Sequence, residues 1–269
     1  MKLLISNIAW KNSENTKIAK LLNKKKIKLL EFAPDILLTK DYTKKDLILT
    51  KKFWRLKNIK LYSMQSILYE VDNAFLYGNE IQRKKFFEEI KKKIDLAKTL
   101  GAKIIIFGSP RNRKTFKKGK YMLDKIGLNM FKKIASYTNK RKIIFCLEAN
   151  PKIYKAGYLN YTRDVISIVK KINNRYLKVN LDLSTIISNK ENIKKIIKEN
   201  ISIIAHAQIS APYLLDILKY KKKIKELIKL LRLNNYKKNI SIEMTKPKKN
   251  SYKQIEKSID YVQNLITIK

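Results

Sequence analysis

Short runs of isoleucine, leucine and valine alternate along this chain with longer amphipathic segments that are rich in lysine. This alternation is typical of parallel strands joined by crossover helices, because parallel neighbours cannot be linked by a tight hairpin. We interpret eight apolar runs as strands, at residues 3–9, 28–33, 59–65, 103–109, 142–149, 177–183, 203–210 and 239–244. Helices are expected between them, including residues 80–100, 122–137, 161–172, 191–199, 220–233 and 252–266.

Eight strand-helix repeats in 269 residues predict an α/β fold, a single-domain (β/α)₈ TIM barrel, which typically needs about 250 residues. Gly101 stands where a helix C-cap glycine belongs, directly before the fourth strand. An open doubly wound sheet is the alternative, but no Gly-x-Gly-x-x-Gly loop supports it. Because no stretch rich in proline, glycine and serine divides the chain, we expect one domain over residues 1–269.

Cysteine and histidine usage limits both the compartment and the kind of metal site. The chain has one cysteine, Cys146, and one histidine, His206. A disulfide framework within the chain and a cysteine-histidine zinc cluster are therefore excluded. The N-terminal run at residues 3–9 is too short and too polar for a signal peptide, and no run approaches the length of a membrane span. We predict a cytoplasmic protein with no membrane association.

The charge balance is strongly basic, with 62 Lys and Arg against 22 Asp and Glu and a formal net charge of +40. Such a charge is typical of proteins that bind nucleic acid. Here, however, the lysines are spread over almost every helical segment, as expected for solvated helix faces. The pattern does not favour a nucleic-acid partner. We expect the positive field to steer phosphorylated small molecules, and a homo-oligomer is left open.

Polar side chains of metal-ligand type stand at or near the ends of four apolar runs in the second half of the chain. They are Glu148, Asp182, the pair His206 and Gln208, and Glu243. Carboxylates are costly to bury unless a cation or hydrogen-bond donors compensate them. At the carboxyl ends of barrel strands they would meet at one rim, where active sites of this fold lie. A shared divalent cation is the simplest explanation, and pairing of Glu148 and Glu243 with lysines is the alternative.

Five segments together resemble the xylose isomerase-like family of sugar and sugar-phosphate isomerases and epimerases. They are LGAKIIIFGSP at 100–110 followed by Arg113, CLEANP at 146–151, KVNLD at 178–182, IAHAQIS at 204–210 and SIEM at 241–244. The resemblance covers essentially the whole chain. It implies that Glu148, Asp182, Gln208 and Glu243 bind one divalent metal ion at the barrel mouth.

The chain departs from the family pattern at two positions. The family's seventh strand resembles His-x-His with the second histidine as ligand, whereas this chain has His206 and Gln208. An amide oxygen can coordinate a hard cation but is a weaker ligand than imidazole for softer metals, so Mn²⁺ or Mg²⁺ is expected rather than Zn²⁺. Many members also have a substrate-binding histidine where this chain has Thr185. Because His206 lies one residue pair deeper in the strand, we interpret it as a residue that binds substrate or supports the metal ligands from behind rather than as a direct ligand.

The resemblance implies an isomerase or epimerase of a sugar or sugar phosphate. A divalent ion that chelates a carbonyl and the neighbouring hydroxyl would stabilise the enediolate formed when the adjacent proton is removed. Glu148 and Glu243 are the expected catalytic base and acid. Further substrate-binding candidates lie at or just after strand ends: Gln65, Ser109, Arg113, Asn150 and Trp10. Glu31 also lies towards the end of an apolar run, the one at 28–33, and we interpret it as a polar residue of the mouth.

Two other functions compete with this one. An abasic-site endonuclease of the same broad family would suit the basic charge, but its multi-zinc cluster needs many histidines and this chain has one. A barrel that has lost its catalysis is the second alternative, because position 208 departs from the family. Such a barrel would bind a sugar-like ligand or a partner protein without turning it over.

Overall fold

The computed structural model describes residues 1–247 and 251–267 and contains a closed barrel of eight parallel strands. The strands are β1 Lys2–Ser6, β2 Leu29–Phe32, β3 Lys60–Met64, β4 Ile104–Phe107, β5 Ile144–Leu147, β6 Leu177–Asp182, β7 Ile204–Ser210 and β8 Asn239–Glu243. They pair in chain order, and β1 closes the barrel by pairing with β8. The predicted TIM barrel is confirmed, with each strand found inside the expected run or shifted by one residue.

Helices separate the strands and cover the outside of the barrel. They are α1 Asn15–Lys24, α2 Pro34–Leu37, α3 Lys44–Leu56, α4 Glu80–Leu100, α5 Lys120–Arg141, α6 Thr162–Ile172, α7 Leu183–Ser188, α8 Ile193–Asn200, α9 Lys221–Leu233 and α10 Ser251–Thr267. The six helices named from the sequence are confirmed, and the bounds of α4 agree at both ends. No helix in the described ranges is long and apolar enough to cross a membrane.

Strands β1 and β4 end three and two residues before their apolar runs, for local reasons. The first run continues to residue 9, but β1 ends at Ser6 because Asn7–Ala9 turns into a short 3₁₀ helix. The Asn7 side chain accepts a hydrogen bond from the backbone of Ala33, which fixes that turn against the end of β2. Strand β4 ends at Phe107 because Ser109, two residues later, adopts a left-handed conformation with φ of 43°. Strand residues do not adopt this conformation.

Gly101 ends α4 in a left-handed conformation with φ of 92°, and its backbone N–H donates to Ala97 O. A methyl group there would meet no atom closer than 3.7 Å, so the cost of alanine comes from the backbone alone. We expect Gly101→Ala to lower the free energy of unfolding by about 1–2 kcal/mol, measured by urea denaturation. Gly119→Ala is the control, because Gly119 has φ of −69° and open space around it. An equal loss in both variants would contradict this explanation.

An aromatic cluster joins the barrel to its outer helices. Phe107 at the end of β4 packs against Phe86 of α4, Phe131 of α5 and Phe145 of β5, with ring centroids 5.6, 6.1 and 5.9 Å away. All four side chains are fully buried or nearly so. The cluster fixes β4 and β5 where the loops of the candidate site begin.

The barrel interior contains a polar network. Glu31 of β2 contacts His206 and Gln208 of β7, and these two strands are not neighbours in the sheet. The contact therefore crosses the inside of the barrel. Each of the three side chains is completely buried. Apolar branched residues dominate the interior of a typical TIM barrel, so this polar filling is a distinguishing feature of the chain.

Candidate active site

Three carboxylates lie at the carboxyl ends of strands β5, β6 and β8. Glu148 follows β5 directly, Asp182 is the last residue of β6 and Glu243 is the last residue of β8. Parallel strands in a closed barrel bring these ends to one rim. Gln208 of β7 is paired in register with Asp182, so it lies at the same level. The structure thus brings the four residues of the predicted metal site to the same end of the barrel.

The carboxylates raise one another's pKa. Burial raises the pKa of Glu148 to about 8, and the charge of Asp182 adds to this effect. Burial also raises the pKa of Glu243 well above its usual value, with contributions from the charges of Glu148, Asp182 and Glu31. The pKa of Asp182 is raised by burial as well. Like charges disfavour ionisation at short range, so these carboxyl groups are harder to ionise than ordinary ones unless a cation compensates their charge.

Glu148 is held by neutral donors on both oxygens. Its Oε1 accepts from Asn150 Nδ2 and its Oε2 from Asn180 Nδ2, both at 2.8 Å. A methyl group on Gly108, the residue after β4, would lie 2.7 Å from Glu148 Oε1, so an alanine there would displace the carboxylate from this position. These contacts fix the direction of the Glu148 side chain.

The Asp182 carboxylate is bound by donors from its own helix start and from β7. Its Oδ2 accepts from the backbone N–H of Thr185 at 2.8 Å and from the Thr185 hydroxyl at 3.0 Å. Ser210 Oγ donates to the other oxygen, Oδ1. Asp182 is therefore the N-cap of α7. Thr185 donates both hydrogen bonds to Oδ2 of this N-cap, at the position where the family resemblance led us to look for histidine.

Gln208 is bound at both ends of its side-chain amide. Its Nε2 donates to Glu31 Oε1 at 2.9 Å, and its Oε1 accepts from Asn180 Nδ2. The same Asn180 Nδ2 donates to Glu148 Oε2. A continuous chain of hydrogen bonds thus runs from Glu31 inside the barrel to Glu148 at the rim.

Sequence reasoning missed the importance of Glu31, which it placed at the mouth as a polar residue. The structure buries Glu31 completely, where it accepts from His206 Nε2 at 2.8 Å and from Ser63 Oγ at 2.7 Å. Burial acts to raise the pKa of Glu31, but His206 and the hydrogen bonds from His206, Ser63 and Gln208 bring it below the usual value. The sequence offered one signal, which was a carboxylate inside an apolar run of a chain that has a single histidine in another such run.

The predicted substrate-binding residues occupy different places. His206 is completely buried beneath the rim, where it contacts Glu31 rather than the mouth. Gln65 is buried, donates to Ser6 Oγ at 2.8 Å and accepts from Ser66 Oγ at 2.9 Å. Trp10 is 3% exposed and donates its indole N–H to Asn15.

Arg113 and Asn150 form a second group that supports the loop after β5. Arg113 is completely buried, lies over the Phe107 ring and donates to the backbone oxygen of Glu148 at 3.1 Å. It also donates to Asn150 Oδ1. Burial lowers the pKa of Arg113 to about 10. Ser109 is half-buried at the left-handed turn after β4. Arg113 therefore holds the loop that carries Glu148.

The donor set at the rim fits a hard divalent cation in its chemistry. All four residues offer oxygen, the ligand atom that Mg²⁺ and Mn²⁺ prefer. Within the described ranges, none of the three carboxylates forms an ion pair with a basic side chain. The ligand oxygens of Glu148 and Gln208 already converge on one atom, Asn180 Nδ2. As the side chains stand in residues 1–247 and 251–267, no three His, Cys, Asp or Glu groups form a metal cluster, so binding requires side-chain rotation.

Solved structures show the same fold at low sequence identity. D-psicose 3-epimerase from Clostridium cellulolyticum H10, solved with D-tagatose, is 15% identical with a TM-score of 0.78 and full coverage of both chains. An L-ribulose 3-epimerase is 12% identical with a TM-score of 0.78, covering 99% of this chain and 93% of its own. A family 2 AP endonuclease from Brucella melitensis is 14% identical with a TM-score of 0.72, covering 94% and 96%. At these identities the likeness establishes the fold.

The family is established by a sequence match. No curated protein matches the chain. The family model described as xylose isomerase-like TIM barrel matches residues 30–265, which include strands β3 to β8, all but the first residue of β2 and all four rim residues. The chain therefore belongs to the xylose isomerase-like TIM-barrel family.

Proposed function

We propose that this protein is a divalent-metal-dependent isomerase or epimerase of a sugar or sugar phosphate. The observation that carries the proposal is the meeting of Glu148, Asp182 and Glu243 at one rim, where they raise one another's pKa. Such an arrangement is costly for stability alone, because each buried charge needs compensation. A bound cation compensates all three at once.

The carboxylates would have two roles in this reaction. Glu148 and Glu243 come from β5 and β8, which are three strands apart around the barrel. They can therefore approach a bound sugar from different sides, one removing the proton next to the carbonyl group and the other returning it. Asn150 and Asn180 hold the two Glu148 oxygens and so direct the base towards the proton.

Glu148, Asp182, Gln208 and Glu243 would hold the cation, and Mn²⁺ or Mg²⁺ suits this all-oxygen set best. Once bound, the cation supplies polarisation of the substrate carbonyl group, which makes the neighbouring proton easier to remove. The substrate class is supported by the structural neighbours, which include D-psicose 3-epimerase and L-ribulose 3-epimerase. The net charge of +40 additionally favours the phosphorylated forms of such ketoses.

Metal removal and proton exchange test the proposal. The protein, stripped with EDTA and reloaded with Mn²⁺ or Mg²⁺, is incubated in D₂O with D-psicose, D-tagatose, L-ribulose and ketose phosphates. We expect deuterium to enter at the carbon next to the carbonyl group only in the reloaded samples, as seen by NMR. Isothermal titration calorimetry with Mn²⁺ alone should show one site per chain. Exchange that is equally fast after stripping would contradict the role of the metal.

A binding barrel without turnover is the second candidate. It is favoured by the engagement of Gln208, whose amide is bound at both ends by Glu31 and Asn180. If this candidate is correct, ketoses will raise the melting temperature of the protein without any deuterium exchange in the presence of Mn²⁺. In that case we expect Gln208→His to bind Mn²⁺ more tightly than the native protein. Salt-sensitive cleavage of an abasic duplex would instead support an endonuclease.

A further inference from the structure

We propose that Glu31 is a positioning residue that fixes the side-chain amide of Gln208 with its oxygen directed towards the cation site. The inference rests on the proposed function, since it assigns to Glu31 a role in that same site. Glu31 lies on β2 and Gln208 on β7, and the two residues are 177 positions apart in the sequence. Its carboxylate reaches Gln208 across the barrel interior.

The contact between the two side chains determines which end of the amide faces Glu31. Gln208 and Glu31 are both completely buried, and the distance from Gln208 Nε2 to Glu31 Oε1 is 2.9 Å. A carboxylate accepts hydrogen bonds and an amide nitrogen donates them. The nitrogen of Gln208 must therefore face Glu31, and its oxygen must face away.

The other end of the hydrogen-bond chain gives the same orientation independently. With Glu148 ionised, as cation binding requires, the Asn180 atom that lies 2.8 Å from Glu148 Oε2 must be the amide nitrogen. It also donates to Gln208, which requires an oxygen at that end. Rotating the Gln208 amide by half a turn would set its oxygen against Glu31 and its nitrogen against the nitrogen of Asn180. Both contacts would leave buried polar groups unsatisfied.

Glu31 is itself held from the side away from Gln208. His206 Nε2 and Ser63 Oγ both donate to Glu31 Oε2, at 2.8 and 2.7 Å, which leaves Oε1 for Gln208. This arrangement matters because a glutamine can present either oxygen or nitrogen, and only the oxygen binds a cation. A carboxylate ligand has no such ambiguity, because both of its atoms are oxygens. By accepting a hydrogen bond from the Gln208 nitrogen, Glu31 therefore fixes which end of the amide faces the cation site.

Titration of Mn²⁺ alone into purified variants tests the inference. We expect Glu31→Gln to bind Mn²⁺ about 10–100-fold more weakly than the native protein, the usual effect of losing a partner that orients a ligand. Ser63→Ala is the matched control, because it removes a hydrogen bond from the same carboxylate while His206 still holds that oxygen. Its affinity should stay within about twofold of the native value. Thermal melting of each variant reports any general loss of stability.

A paired exchange separates orientation from packing. In the double variant Glu31→Gln, Gln208→Glu, the new carboxylate presents oxygen in either rotamer, and the glutamine at position 31 donates to it. We expect this double variant to bind Mn²⁺ at least about tenfold more tightly than the single variant Glu31→Gln. Glu31→Asp keeps the charge, but its carboxylate is one methylene group further from Gln208, so this variant should also bind Mn²⁺ weakly. It replaces Glu31→Gln in the experiment if that variant fails to fold. Native affinity in the folded single variants overturns the positioning role alone, whereas no Mn²⁺ binding by the native protein overturns the proposed function with it.

Discussion

Glu148→Gln is expected to lower kcat for the proton-transfer reaction by about 10²–10⁴-fold, the range that a positioned acid or base contributes. The amide is nearly the same size as the carboxyl group but cannot take up a proton. It also replaces an anionic ligand, so Mn²⁺ affinity should fall in parallel. Deuterium exchange at the carbon next to the carbonyl group measures the chemical step directly.

The fold of the Glu148→Gln variant should be unchanged, because the glutamine oxygen can still accept one of the two amide hydrogen bonds now made to Glu148. Glu199→Gln is the matched control, since Glu199 is exposed on α8 away from the rim. It should retain native turnover. A Glu148→Gln protein that exchanges deuterium at the native rate would remove Glu148 as the base and leave only its role as a ligand.

Phe107→Ala is expected to lower the free energy of unfolding by about 3–5 kcal/mol, as for other large aromatic residues removed from a core. The Phe107 side chain is 1% exposed and lies at the centre of the aromatic cluster. Its loss would leave a cavity bordered by Phe86, Phe131 and Phe145. Arg113 also lies over this ring, with its guanidinium carbon 5.8 Å from the ring centroid.

Guanidinium denaturation measures this effect, and Tyr121→Ala is the control because Tyr121 is 78% exposed on α5. The control should change stability by about 0.5 kcal/mol or less. Because Arg113 holds the backbone of Glu148, the Phe107→Ala variant should also lose turnover before it unfolds. A loss of stability below about 1 kcal/mol would show that the surrounding rings collapse into the space.

The barrel could be predicted from sequence because its strands are buried on both faces and read as continuous apolar runs. The eight runs stand out clearly against lysine-rich helices such as α4 and α9. Two of the four helices that were not named are very short. Helix α2 has four residues and α7 has six, so neither completes two turns. Periodicity cannot identify segments of this length.

The placement of Glu148, Asp182 and Glu243 at one rim also follows from the sequence, because the carboxyl ends of barrel strands always meet there. Their roles stay predictions. The partners of Gln208 could not be predicted, since β2 and β7 touch only through the barrel interior. Which inward side chains meet depends on strand tilt and on irregularities such as the register shift beside Glu31. Local pattern carries no information about either.

The pairing of Glu31 with His206 joins parts of the chain that are 175 residues apart. During synthesis on the ribosome, the carboxylate leaves the exit tunnel long before its partner histidine is made. A nascent chain that ends after β6 therefore has an acidic group facing the inside of an unclosed sheet, with no base to meet it. The seventh strand brings that base together with the Gln208 amide, and the eighth strand then closes the sheet against β1 and adds Glu243 to the rim.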